Sequence, residues 1–114
     1  MKNISTFIVL ALFISCQSAA PILVFPNNHP PLNKLFSFEI ELKESVDELN
    51  IDADMPSHGH GMITQPSVTK ISPSRYQVDG MILHMPGYWE IYVMTKKEKK
   101  EEKFLFPIQI EPWQ

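Results

Sequence analysis

Leu35-Phe36-Ser37-Phe38-Glu39-Ile40-Glu41-Leu42 reads LFSFEIEL. From Phe36 onward the apolar positions are 36, 38, 40 and 42, and Ser37, Glu39, Glu41 and Lys43 fill the places between. A repeat of two belongs to an extended chain with one buried face; a helix needs apolar residues three and four apart. The same period recurs downstream. Leu49, Ile51 and Ala53 alternate with Asn50, Asp52 and Asp54, and Val68 to Ile71 makes a short third segment closed by Ser72-Pro73-Ser74. Tyr76 and Val78 open a fourth that continues through Gly80 to about Leu83. In the fifth, Trp89, Ile91 and Val93 face one way while Tyr88, Glu90, Tyr92 and Met94 face the other. Phe104, Phe106, Ile108 and Ile110 form the sixth, where Pro107 predicts an edge position or a bulge, since it has no N–H for a central ladder. The run Lys96-Lys97-Glu98-Lys99-Lys100-Glu101-Glu102-Lys103 between the last two reads as a solvated hairpin tip; its mixed signs argue against a membrane-surface patch. Glu44 to Leu49 allows one helical turn at most. About six or seven short strands with regular turn signals predict an all-β, antiparallel sandwich.

Upstream the pattern changes. Lys2 precedes an apolar run from Ile4 to Ile14, ending at Ser15-Cys16. A charged start, an apolar run and a small-residue exit form a secretory signal, too short for the roughly 20 residues of a membrane span. The stretch LFISC resembles a lipobox, with Phe13 where a Leu is usual. Ser18 and Ala20 offer a competing cleavage site, but Pro21 follows it. The expected organisation is a lipoprotein-type signal peptide over 1–15, lipidation at Cys16, a flexible Pro-rich tether over 16–33 and a β-sandwich domain over 34–114. Cys16 is the one cysteine, so its acylation leaves no disulfide and no thiolate metal ligand. A net charge of −3 disfavours nucleic acid as a partner.

Two short segments carry metal-binding side chains. Met55-Pro56-Ser57-His58-Gly59-His60-Gly61-Met62 holds two histidines and two methionines, and His84-Met85-Pro86-Gly87 repeats the Met-Pro unit. A sandwich gathers its loops at its two ends, so the segments are expected to share one rim. Imidazole suits copper, zinc and nickel, and thioether sulfur selects Cu(I); a set of His58, His60, Met62, His84 and Met85 without cysteine favours copper. The alternative is structural: loop imidazoles bond backbone carbonyls and the methionines fill the end of the core. No arrangement suggests catalysis. Ser57 beside His58 is only a sequence neighbour, and no acid is placed to orient a base.

With those residues read, the chain resembles the YtkA-like domain family, and also the periplasmic domain of FixH-type proteins. The resemblance rests on ADMPSHGHGM, a spacer containing QPSV, and RYQVDGMILHMPGYWEIYV, about residues 53 to 93. It implies an immunoglobulin-like sandwich in the bacterial cell envelope, on the periplasmic or outer face. It implies copper handling that falls on His58, His60, Met62, His84 and Met85, with a copper-accepting envelope protein as partner. The chain departs from FixH-type proteins in lacking a full membrane-spanning helix in its N-terminal sequence.

Overall fold

A computed structural model describes residues 19–114. The expected signal peptide and Cys16 lie outside the described residues. Eight strands follow in order: β1 (Ile22–Val24), β2 (Phe36–Glu41), β3 (Glu48–Met55), β4 (His60–Gly61), β5 (Ser67–Ser72), β6 (Arg75–Met81), β7 (Gly87–Lys97) and β8 (Lys100–Ile110). They form two four-stranded sheets, β1-β2-β6-β5 and β4-β3-β7-β8, with every strand pair antiparallel. Lettered A, B, C, C′, D, E, F and G, these orders become A-B-E-D and C′-C-F-G, the immunoglobulin arrangement.

Alternation drives the sheets together. In β2, Phe36, Phe38 and Ile40 are buried while Ser37 is exposed. In β7, Trp89, Ile91, Val93 and Thr95 point inward. The inner faces meet in one core in which Ile40, Ala53, Met55, Val78, Met81, Trp89, Ile91 and Val93 have no exposed surface. Hydrophobic burial of this order is the main force holding a domain of this size. Pro107 lies on β8, an edge strand, so its missing N–H interrupts no ladder on the open side.

Two strands add to the six read from the sequence. The segment 16–33, expected to be a flexible tether, contains β1: Ile22, Leu23 and Val24 pair with Glu41, Ile40 and Glu39. Three residues are too few to show a period, and the prolines around them mask the signal. A 3-10 turn at Pro26–Asn28 follows, and the chain then crosses one end of the sandwich, where Leu32 bridges Leu83 and its N–H bonds the Gln114 carbonyl. The ordered domain therefore begins before residue 34. The second addition is β4, two residues long, which pairs His60 with Met55 and Gly61 with Asp54.

Strand directions define two ends. β3 runs toward Met55, β8 ends at Ile110 opposite Gly87, and Phe36 pairs with Met81; these mark the histidine end. Glu48 opposite Lys96, Lys97 opposite Lys100 and Ile22 opposite Glu41 mark the other.

Candidate functional site

The histidine segments hang from two connections at one end of the sandwich. The β3–β4 hairpin is closed by a loop in which the Met55 carbonyl accepts the N–H groups of both His58 and Gly59, each at 3.0 Å. Gly59 turns the chain at φ +65°, a left-handed conformation that glycine adopts without a Cβ penalty. Because antiparallel partners project to the same face, His60 shares the inner face with Met55. The β6–β7 connection brings His84 to the same end. The rings of His60 and His84 lie 5.2 Å apart, and those of His58 and His60 lie 5.7 Å apart. The expectation that the two segments share one rim holds for these three imidazoles.

Trp89 is the floor of the cluster. It is fully buried and donates its indole N–H to the Met85 carbonyl at 2.9 Å. His60 and His84 both stand edgewise to it, at 6.2 and 5.6 Å between ring centres. Gly87 sits beside it at φ +130°, and a Cβ there would come within 2.9 Å of Met55 Cε. Met55 is fully buried, whereas Met62 and Met85 are partly buried and packed against the core.

Nitrogen by nitrogen, the cluster differs in how its members are satisfied. His60 Nδ1 lies 3.2 Å from the Gly61 carbonyl, which can only accept, so Nδ1 carries the proton and the Nε2 lone pair is left over. His84 Nδ1 is buried with no hydrogen-bond partner among the described residues. His58 is exposed. His29, the fourth histidine, is tied to the C-terminal segment: its Nδ1 donates to the Pro30 carbonyl at 2.8 Å and it neighbours Gln114.

Two imidazoles sharing an ion at about 2.0–2.1 Å from each nitrogen would hold their ring centres about 5 Å apart. The spacing of His60 and His84 meets that requirement, and an unpartnered buried nitrogen is what a ligand atom looks like without its ion. Among the described residues, no group of three or more His, Cys, Asp or Glu side chains stands ready to hold an ion. A pair of imidazoles completed by a thioether is a different donor set, and one that suits copper.

A second polar constellation lies on the outer face of β3 and β7. Asp54 and Glu90 are cross-strand partners. Like charges in that register repel. Tyr92 sits between them, its hydroxyl bonded to Glu90 Oε2 and 3.3 Å from Asp54 Oδ1, while Tyr88 donates to Glu90 Oε1 at 3.2 Å. The hydrogen bond to Glu90, followed by burial and the charge of Asp54, pushes the Tyr92 phenol well above its ordinary value. Lys103 Nζ lies over the Tyr92 ring, 4.1 Å from its centre. The alternation of Tyr88, Glu90 and Tyr92 puts them on one face from sequence alone; Asp54 joins them only through strand register.

Among the described residues, no helix is long and apolar enough to cross a membrane. No family model matches the chain, and no curated protein matches it closely enough to count as a relative.

Proposed function

We propose that this is an extracytoplasmic, lipid-anchored module that binds copper at its histidine end and exchanges it with an envelope protein. The observation that carries the reading is the His60–His84 pair: two imidazoles at ion-sharing distance, one with a free Nε2 and the other with a buried nitrogen that lacks a partner. Met62 and Met85, adjacent in sequence to Gly61 and His84, offer thioethers, and exposed His58 offers a third imidazole for capture or release. Bound copper would add reversible coordination; the chain's own part is to present His60 in one tautomer against the Trp89 wall. The resemblance to the YtkA-like family points the same way.

A second reading, a non-catalytic interaction module with a structural histidine rim, draws on one observation: His60 and His84 both pack against buried Trp89. The two separate experimentally. The domain is titrated with copper under reducing and then oxidising conditions, dialysed against a competing chelator and assayed for metal. One retained copper per chain, lost in the His58→Ala, His60→Ala double variant while the fold persists, supports the copper module. Retained copper in that variant, or none in the parent, overturns it. His84→Leu sharpens the comparison. Removing a buried nitrogen without a partner saves about 1–3 kcal/mol, offsetting the lost ring contact, so metal-free stability stays near the parent's while copper affinity drops. A structural rim predicts the reverse.

A further inference from the structure

We propose that the domain stands on the membrane with its lysine-rich hairpin end against the bilayer and its histidine end facing away from it. The inference rests on the lipid-anchored reading of Cys16 given above.

The chain enters the fold at the hairpin end. Ala19 and Pro21 line a cavity shared with Lys97, Lys100 and Phe104, and Ile22 pairs with Glu41 at the same end. Pro21 is buried, so this point of entry is held by packing. Cys16 lies three positions before Ala19. Even fully extended, that span is no more than about 11 Å. An acyl chain on Cys16 therefore brings the hairpin end to the headgroups.

The length of the domain points the same way. β7 crosses the whole domain in 11 residues, from Gly87 beside the histidines to Lys97 at the hairpin. At about 3.3 Å per residue the histidine rim stands roughly 35 Å from the anchored end, well beyond the tether's reach.

Charge at the hairpin end is mixed in space as it is in sequence. Lys97 and Lys100 pair across the tip, but Lys97 meets Glu44 at 3.7 Å, Lys100 meets Glu102 at 3.3 Å, and the Glu98 N–H bonds Asp47. The orientation is therefore set by the point of entry and by length, not by attraction of lysines to phosphates. A protein that exchanges metal at the histidine rim must then reach it through a domain that projects from the membrane.

The full chain, with its leader, is expressed in bacteria, recovered from membranes and reconstituted into phosphatidylethanolamine–phosphatidylglycerol vesicles that carry a headgroup-spin-labelled lipid. Lys99→Cys and Ser57→Cys, both at exposed positions, each receive a fluorophore on the introduced thiol. Mass spectrometry of the same samples reads the state of Cys16. An acylated Cys16 with several-fold stronger quenching at position 99 than at 57 supports the upright orientation. An acylated Cys16 with equal quenching, stronger quenching at 57, or none at either site overturns the orientation and leaves the anchor standing. An unmodified Cys16 overturns both.

Discussion

Gly87 shows how one side chain fewer shapes the rim. Its φ of +130° is a conformation that other residues rarely adopt, and the space where a Cβ would stand is filled by Met55 Cε at 2.9 Å. Gly87→Ala is expected to cost about 1–3 kcal/mol in backbone strain, with an overpacking cost against Met55 added. Urea unfolding measures the sum. Met55→Leu in the same chain, with a shorter side chain, should recover the overpacking part and not the strain. Gly59 is the control: its φ is +65° but nothing lies within 4 Å, so Gly59→Ala should cost only the left-handed backbone preference, about 1–2 kcal/mol. Equal costs at the two glycines would contradict the crowding at Gly87. His84 belongs to the same scale. The sequence offers it as a candidate ligand, but that its Nδ1 is buried without a partner among the described residues is a fact of the fold.

At the scale of elements, β1 and β7 carry the sharpest expectations. Leu23 packs against the core, and the Phe25 ring that follows β1 lies 4.8 Å from Phe38 and 6.3 Å from Phe36. A chain that begins at residue 34 loses these contacts and leaves an edge of β2 unpaired. Removing a packed Phe alone costs about 3–5 kcal/mol, so this truncation should lower the urea midpoint sharply or leave the domain unfolded, whereas a chain that begins at Ala19 keeps the parent stability. On β7, the phenols of Tyr88 and Tyr92, and that of Tyr76 on β6, are all held above their ordinary value of 10.0. Burial is the first cause for Tyr76 and Tyr88, and the hydrogen bond to Glu90 for Tyr92. Raised folded values mean that the folded state keeps protons the unfolded chain gives up. The stability these phenols contribute is therefore fully present below pH 10 and is lost as pH rises above it toward the folded values. Tyr92→Phe should flatten that alkaline slope; an unchanged slope would show that Tyr92 titrates alike in both states.

For the whole molecule, copper is a stability question as well as a binding one. A ligand that binds only the folded state adds about 2.7 kcal/mol at a hundred times its dissociation constant. For a domain of this size each kcal/mol raises Tm by roughly 4–8 °C, so a genuine site predicts a clear upward shift with copper, absent in the His58→Ala, His60→Ala variant. No shift in the parent, with the metal in excess, would count against the copper reading. The two ends of the sandwich divide the labour in this picture. One receives the tether and the lysines, the other gathers the imidazoles, and the strands set the distance between them.

The sequence alone determined the all-β class, because a period of two recurs in six segments and burial of one face follows directly from it. It also determined which residue types are available for coordination, and the Met-Pro units that bracket them. Sheet order, β1 and β4 were decided by tertiary structure. Segments of two or three residues have no period, and they become strands only when a neighbouring edge offers hydrogen bonds. The meeting of His60 with His84 was likewise decided by topology, because the β3–β4 and β6–β7 connections share one end only in this strand order. So was the pairing of Asp54 with Glu90, since cross-strand register is a long-range property that no local alternation encodes.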